Sequence, residues 1–284
     1  MRYLLLLAIV FVSLCTQLPI EIPFLTPSVQ QSSFALEVTS DPDIYLKVET
    51  LPKEVKEGKN ISMIFEVRNE ANSDLENINV YAYDQCVFSG DNKKSISMLK
   101  PDRTERWTWK WKAGNIELPT DCNIKFRTDY ENDFSLSQDV AVLTESEYYI
   151  KEQEGILEDI PISSSSSSSP LSISVGFLEN QPFVDGDEVT MSIGYSYIGE
   201  GIMNISDITI SIPSNLEFVS CSDYNKVDTS LKLTRKLNFI NNKASSSNCK
   251  FTTKASQPMG IKSLSLTARY KYVLDNSISV RVKK

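Results

Sequence analysis

The chemistry this chain is best equipped for is that of sulfur: five cysteines stand in a sequence of 284 residues that contains no histidine. Cys15 ends an N-terminal apolar stretch, Cys86 and Cys122 precede a serine run from Ser163 to Ser169, and Cys221 and Cys249 follow it. Setting Cys15 aside leaves four, the even number expected where thiols become paired in an oxidising compartment. Of the three connectivities, Cys86 with Cys122 and Cys221 with Cys249 is expected, because either crossed arrangement would tie together two segments that the serine run keeps apart. Each bridge would close a loop of tens of residues and contribute roughly 3 to 4 kcal/mol by constraining the unfolded chain. A four-thiolate metal site would need cysteines in paired C-x-x-C spacing, and these are singletons, so no metal or other cofactor is expected.

The lack of histidine removes the Ser-His-Asp and Cys-His nucleophile systems and the commonest ligand of catalytic zinc and iron. Asp and Glu total 37, which is the composition of a solvated secreted surface and leaves a carboxylate pair for glycoside hydrolysis as the remaining catalytic device. Asp129, Glu131 and Asp133 alternate like the opening of a calcium loop, yet Phe134 stands where an EF-hand needs glycine and no glutamate closes the loop, so an ordinary hairpin turn is expected there. The expectation is a protein that is not an enzyme.

Trp107, Trp109 and Trp111 are all the tryptophan in the chain and, at spacing two, share one face of a strand. Turned outward, they would form a ligand platform that stacks on sugar rings. Turned inward, they would be the core face of a sandwich strand near a disulfide; this is the expectation, because three exposed indoles would leave a large apolar patch. Asn60-Ile61-Ser62 and Asn204-Ile205-Ser206 match the N-glycosylation acceptor pattern, which makes Asn60 and Asn204 candidate glycan sites on outward-facing positions, and the serine run is a candidate for O-glycans.

These residues must be positioned by strands. Hydrophobic side chains recur every second residue at Ile44, Leu46, Val48; at Ile61, Met63, Phe65, Val67; at Ile78, Val80, Ala82; and at Ile124, Phe126, Tyr130, and almost no segment reads as an amphipathic helix. Many strands without helices to cover them bury their apolar faces against one another, which gives an all-β fold of sandwiches. The length suits two domains of roughly 100 to 130 residues. Pro161 and Pro170 flank the serine run, and residues 145–159 carry six acidic residues against Lys151 alone, so the expected layout is a sandwich over 36–145, a solvated acidic and Ser-rich linker over 146–170, and a second sandwich over 171–284. An internal repeat supports two halves: Gly58 leads into Ile61, Met63, Phe65 and Val67, Gly186 leads at the same offsets into Val189, Met191, Ile193 and Tyr195, and Val80 with Ala82 matches Ile208 with Ile210.

The strand before Pro52, then Gly58, the alternating strand ending at Val67, Arg68 and Asn69, a polar turn, and Ile78 to Tyr83 together resemble the CARDB-like and related immunoglobulin-like domains of prokaryotic, often archaeal, secreted and cell-surface proteins. The resemblance covers most of both halves and implies fold and surface location. Its motifs are packing motifs, so it carries over no functional residue.

Met1 to Tyr3 and the apolar run Leu4 to Val12 read as an export signal over 1–15, too short for the about 20 apolar residues that span a bilayer. Cleavage before Thr16 would remove Cys15, and membrane attachment would arise only through an uncleaved signal or a lipid on Cys15. Residues 16–35 then form an extended N-terminal arm in which Leu18, Ile20, Ile22 and Phe24 alternate. A net charge of −8 argues against nucleic acid and against anionic membrane surfaces. The expected function is a secreted or cell-surface structural or adhesive module whose partners are other surface proteins, polysaccharide or copies of itself; the alternative is a subunit of an extracellular filament or surface layer assembled by donating the arm.

Overall fold

A computed structural model describes residues 35–284; the expected signal and the arm, up to residue 34, lie outside the described residues. The first half forms β1 (Ala35–Ser40), β2 (Ile44–Leu51), β3 (Glu54–Lys56), β4 (Asn60–Asn69), β5 (Leu75–Asp84), β6 (Phe88–Gly90), β7 (Lys93–Leu99), β8 (Thr104–Ala113) and the long β9 (Thr120–Leu143). A helix, α1 (Glu145–Glu154), follows. The second half forms β10 (Ser164–Ser166), β11 (Leu171–Phe177), β12 (Phe183–Val184), β13 (Glu188–Tyr197), β14 (Ile202–Ser211), β15 (Leu216–Cys221), β16 (Tyr224–Val227), β17 (Ser230–Leu233), β18 (Lys243–Thr253) and the long β19 (Met259–Lys283).

Two sheets belong to one half each: β1-β2-β4-β8-β6, and β11-β13-β18-β15. The third is common to both halves and runs β16-β17-β14-β19-β9-β5-β7, with β3, β10 and β12 added at its margins. Its axis is the antiparallel pair β9 and β19, in register without a bulge from Leu143↔Met259 to Thr120↔Val282, a ladder of roughly 80 Å at about 3.4 Å per residue. Even-numbered residues from Cys122 to Val142 and from Gly260 to Val282 are buried, with only Gln138, Lys262 and Asn276 half-buried. Both smaller sheets therefore pack on one and the same face of the shared sheet.

The repeat read from the sequence has a structural counterpart. Gly58 and Gly186 both take left-handed backbone angles, φ 71° and 87°, in the turns that start β4 and β13, and these strands hold equivalent places in the two smaller sheets. β3 then pairs in parallel with the C-terminal end of β19, Glu54↔Arg281, and β12 in parallel with the C-terminal end of β9, Phe183↔Val142. The first sandwich, whose inner strand is the N-terminal half of β9, is thus completed by the C-terminal half of β19; the second, whose inner strand is the N-terminal half of β19, is completed by the C-terminal half of β9. Each half lends the other a strand.

This differs from the expectation of two sandwiches kept independent by a solvated linker. The described residues cluster as one compact unit, because the borrowed strands carry buried side chains of both halves. The acidic stretch is a helix rather than an extended coil: Thr144 caps its N-terminus by accepting from the Glu147 amide, Glu145 and Glu147 sit where the helix dipole favours negative charge, and Gly155 ends it in the left-handed region. Ser164–Ser166 is an exposed edge strand on β9, Ser165↔Ser137, not a tether.

Asp129, Glu131 and Asp133 form neither a calcium loop nor a hairpin turn; they lie on the outer face in the middle of β9, where their alternation answers cations on β19. Lys271 Nζ is 2.9 Å from Asp129, and Arg269 pairs with Glu131 at 3.2 Å and with Glu76. Arg127 reaches the other way and binds Asp275 through two nitrogens at 2.6 and 2.7 Å, the geometry that makes guanidinium–carboxylate pairs strong for a surface contact.

Candidate functional site

Both expected disulfides are formed, Cys86–Cys122 and Cys221–Cys249. The first ties the turn between β5 and β6 to β9, where the chain crosses from the shared sheet to the first smaller sheet; the second links neighbouring strands β15 and β18 at paired positions. The tryptophan row is core. Trp111 and Trp109 are buried, Trp107 is half-buried, and Phe65 from β4 stacks on Trp107 at 5.3 Å and meets Trp109 edge-on at 4.3 Å. The row thus fills the space between sheets, and the sugar-stacking platform is corrected to an aromatic core seam. Asn60 and Asn204 are both exposed.

The site that sequence reasoning missed is where the two sandwiches meet. Halfway along β9 and β19 the inward positions turn polar: Thr128, Tyr130 and Asn132 on one strand, Tyr270 and Tyr272 on the other, all buried. Here neither smaller sheet covers the shared sheet. Loops do, and buried loop groups need hydrogen-bond partners. The turn between β1 and β2, closed by reciprocal backbone hydrogen bonds between Asp41 and Ile44, drives two carboxylates into this gap. Tyr270 donates to Asp43 at 2.5 Å and Asn132 donates to the same oxygen at 3.1 Å; Ser169, last of the serine run, donates to the Tyr270 hydroxyl at 2.8 Å. Tyr272 donates to Asp41 at 3.1 Å and accepts from the Gly201 amide at 2.9 Å.

Glycine is required on the facing loop. A Cβ at Gly199, φ 118°, would stand 2.6 Å from the Asp41 carboxylate and collide with the Tyr272 hydroxyl, and one at Gly201 would lie 2.6 Å from the Tyr272 ring. The loop therefore closes directly onto the carboxylate. Burial pushes the Asp41 carboxyl up to about 6, against the hydrogen bond from Tyr272 and with the charges of Asp43 and Glu200 adding to the rise. Asp43 is also raised, by burial first, with the hydrogen bonds from Tyr270 and Asn132 pulling it back. One oxygen of each carboxylate, and the Tyr130 hydroxyl, are buried without a partner.

Beside this cluster opens a groove of about 820 Å3. Its walls are β1 and its turn on one side, and on the other the β13–β14 loop with residues 273–277 of β19. Among the described residues no three acidic, cysteine or histidine side chains converge to hold a metal ion, and no helix is long and apolar enough to cross a membrane.

No family model matches the chain, and no curated protein does. Among solved structures, the chain is similar to a collagen adhesin of S. aureus at 10% identity over 88% of this chain and 93% of that one, with a TM-score of 0.12, a value too low to carry an argument. What stands of the immunoglobulin-like resemblance is the all-β architecture of antiparallel sheets.

Proposed function

We propose that the protein is a secreted or cell-surface module that acts by structure and adhesion rather than by catalysis. The observation that carries this reading is the reciprocal exchange of β9 and β19, with one disulfide inside each half: it makes a long body whose halves are joined by a continuous ladder, suited to holding a surface at a distance or presenting one. Two disulfides are compatible with an oxidising location. The carboxylates of the junction are held by tyrosine hydroxyls and the Asn132 amide, and one oxygen of each is without a partner, which supports a binding reading.

Labelled mature protein should bind envelopes of its own source cells saturably, be displaced by unlabelled protein, be removed from intact cells by external protease, and release no product from the envelope. Non-saturable binding, free thiols in the natural protein, or a soluble product whose release stops on substituting one carboxylate would each overturn the reading.

A further inference from the structure

The junction groove has an uncompensated charge and an open strand edge side by side. Glu37, Asp41 and Glu200 line it, and none of the three is in an ion pair with a described residue. The two other charges in the groove are already engaged, Asp275 with Arg127 and Lys125 with Asp84. Asp41 is only 8% exposed, and one of its oxygens has no hydrogen-bond partner. A buried carboxylate left half-satisfied is stabilised by a cationic donor that approaches it.

β1 is the edge of its sheet, with its outer edge unpaired among the described residues. It turns apolar side chains outward: Leu36 and Val38 are exposed, and across the groove so are Ile198 and Ile202. A single metal ion does not fit, because the carboxylates do not converge. One acidic charge on the edge strand, one in the turn that ends it and one on the facing loop, interleaved with apolar contacts, are instead the complement of an extended chain whose side chains alternate from face to face.

We propose that this groove docks an extended basic segment of a partner protein, added as a strand to the outer edge of β1, with Lys or Arg side chains directed at Glu37, Asp41 and Glu200 and alternating apolar residues against Val38, Ile198 and Ile202. The inference rests on the adhesive reading above and names the chemistry of its partner. Electrostatic complementarity of this kind selects the partner and speeds its arrival, and the chain's net charge of −8 favours the same sign of ligand.

The probes are two synthetic octapeptides, one alternating lysine with valine and one alternating glutamate with valine, and a third copying Leu18–Leu25. Titrated by fluorescence anisotropy into the intact protein, the lysine peptide should bind saturably, weaken as salt rises, and lose about ten-fold or more in affinity in Glu37→Gln/Glu200→Gln, with the glutamate peptide inert. Both substituted side chains are at least partly solvent-exposed, so the variant should fold, and an unchanged melting temperature checks that it has. Equal binding of the lysine peptide by the variant overturns the inference, as does its failure to bind at all. Preferential binding of the Leu18–Leu25 peptide overturns it in favour of self-assembly. Envelope binding that survives in the variant sinks only this inference, whereas peptide binding without envelope binding sinks only the adhesive reading.

Discussion

Separating the two halves tests the exchanged strands directly. A fragment spanning 33–145 keeps its own disulfide but lacks the part of β19 that completes its sandwich, and with it the buried side chains Leu274, Ile278, Val280 and Val282. A fragment spanning 171–284 lacks Phe134, Leu136, Val140 and Val142 of β9. At about 1.5–3 kcal/mol for each fully buried aliphatic or aromatic side chain, either loss amounts to about 6–12 kcal/mol, before counting the ladder hydrogen bonds left open. A domain of this kind has only about 5–15 kcal/mol in total. Each fragment alone should therefore lack a cooperative thermal transition by circular dichroism and show collapsed amide dispersion by NMR. Mixing the two at equal concentration should restore the transition and a stable heterodimer in size exclusion. If either fragment alone melts cooperatively near the temperature of the whole protein, the completing strand is dispensable and the exchange argument is wrong.

Asp41→Asn should flatten the pH dependence of stability. The folded carboxyl is pushed up to about 6 from the 3.8 of an ordinary aspartate, so the folded chain holds the proton more tightly than the unfolded one; the stability this confers is complete below about pH 4 and is lost as pH rises to about 6, by at most about 3 kcal/mol and by about 1–2 kcal/mol once water in the groove screens the charge. Denaturant midpoints measured from about pH 4 to about pH 7.5 should, by the same linkage, slope downward for the natural protein and less steeply for the variant, which keeps the raised Asp43 carboxyl; parallel curves would refute the assignment. Replacing Cys86 and Cys122 by serine opens a bridge with a sequence separation of 36 residues and should cost about 4 kcal/mol in urea unfolding of the oxidised protein, with no change under reductant. Trp109→Ala should destabilise by about 3–5 kcal/mol while leaving binding of the lysine peptide intact; loss of that binding without loss of stability would return the row to a ligand role.

What the sequence made legible was whatever repeats with period two and stays apolar. Ile61 to Val67 and Val189 to Tyr195 stand out because every inward position is hydrophobic and a glycine announces each strand. The cysteine pairing follows from even number and order, and the inward turn of the tryptophans from the size of the patch they would otherwise leave. β9 escaped at its true length because Thr128, Asn132 and Gln138 occupy inward positions: the alternation continues from Cys122 to Val142, but hydrophobicity does not, since the middle of the strand faces loops. Asp129, Glu131 and Asp133 then read as a turn, although Lys271 and Arg269, the partners of Asp129 and Glu131, stand at matching spacing on β19. The serine run has no apolar face to betray pairing, and a small polar strand on a sheet edge looks like a tether. Nothing local marks Asp41 and Asp43, whose burial depends on tyrosines more than two hundred residues away.

The reciprocal loan of strands also sets an order of events in biosynthesis. β3 finds its parallel partner only in residues 281–283, so the sandwich that leaves the ribosome first must wait, unfinished, until β19 has been made. A polypeptide whose opening half cannot close before so late a segment emerges stays threadable through most of its translation. On the secreted reading, that delay keeps it fit to pass a translocation pore and reserves closure, with oxidation of both cysteine pairs, for the far side.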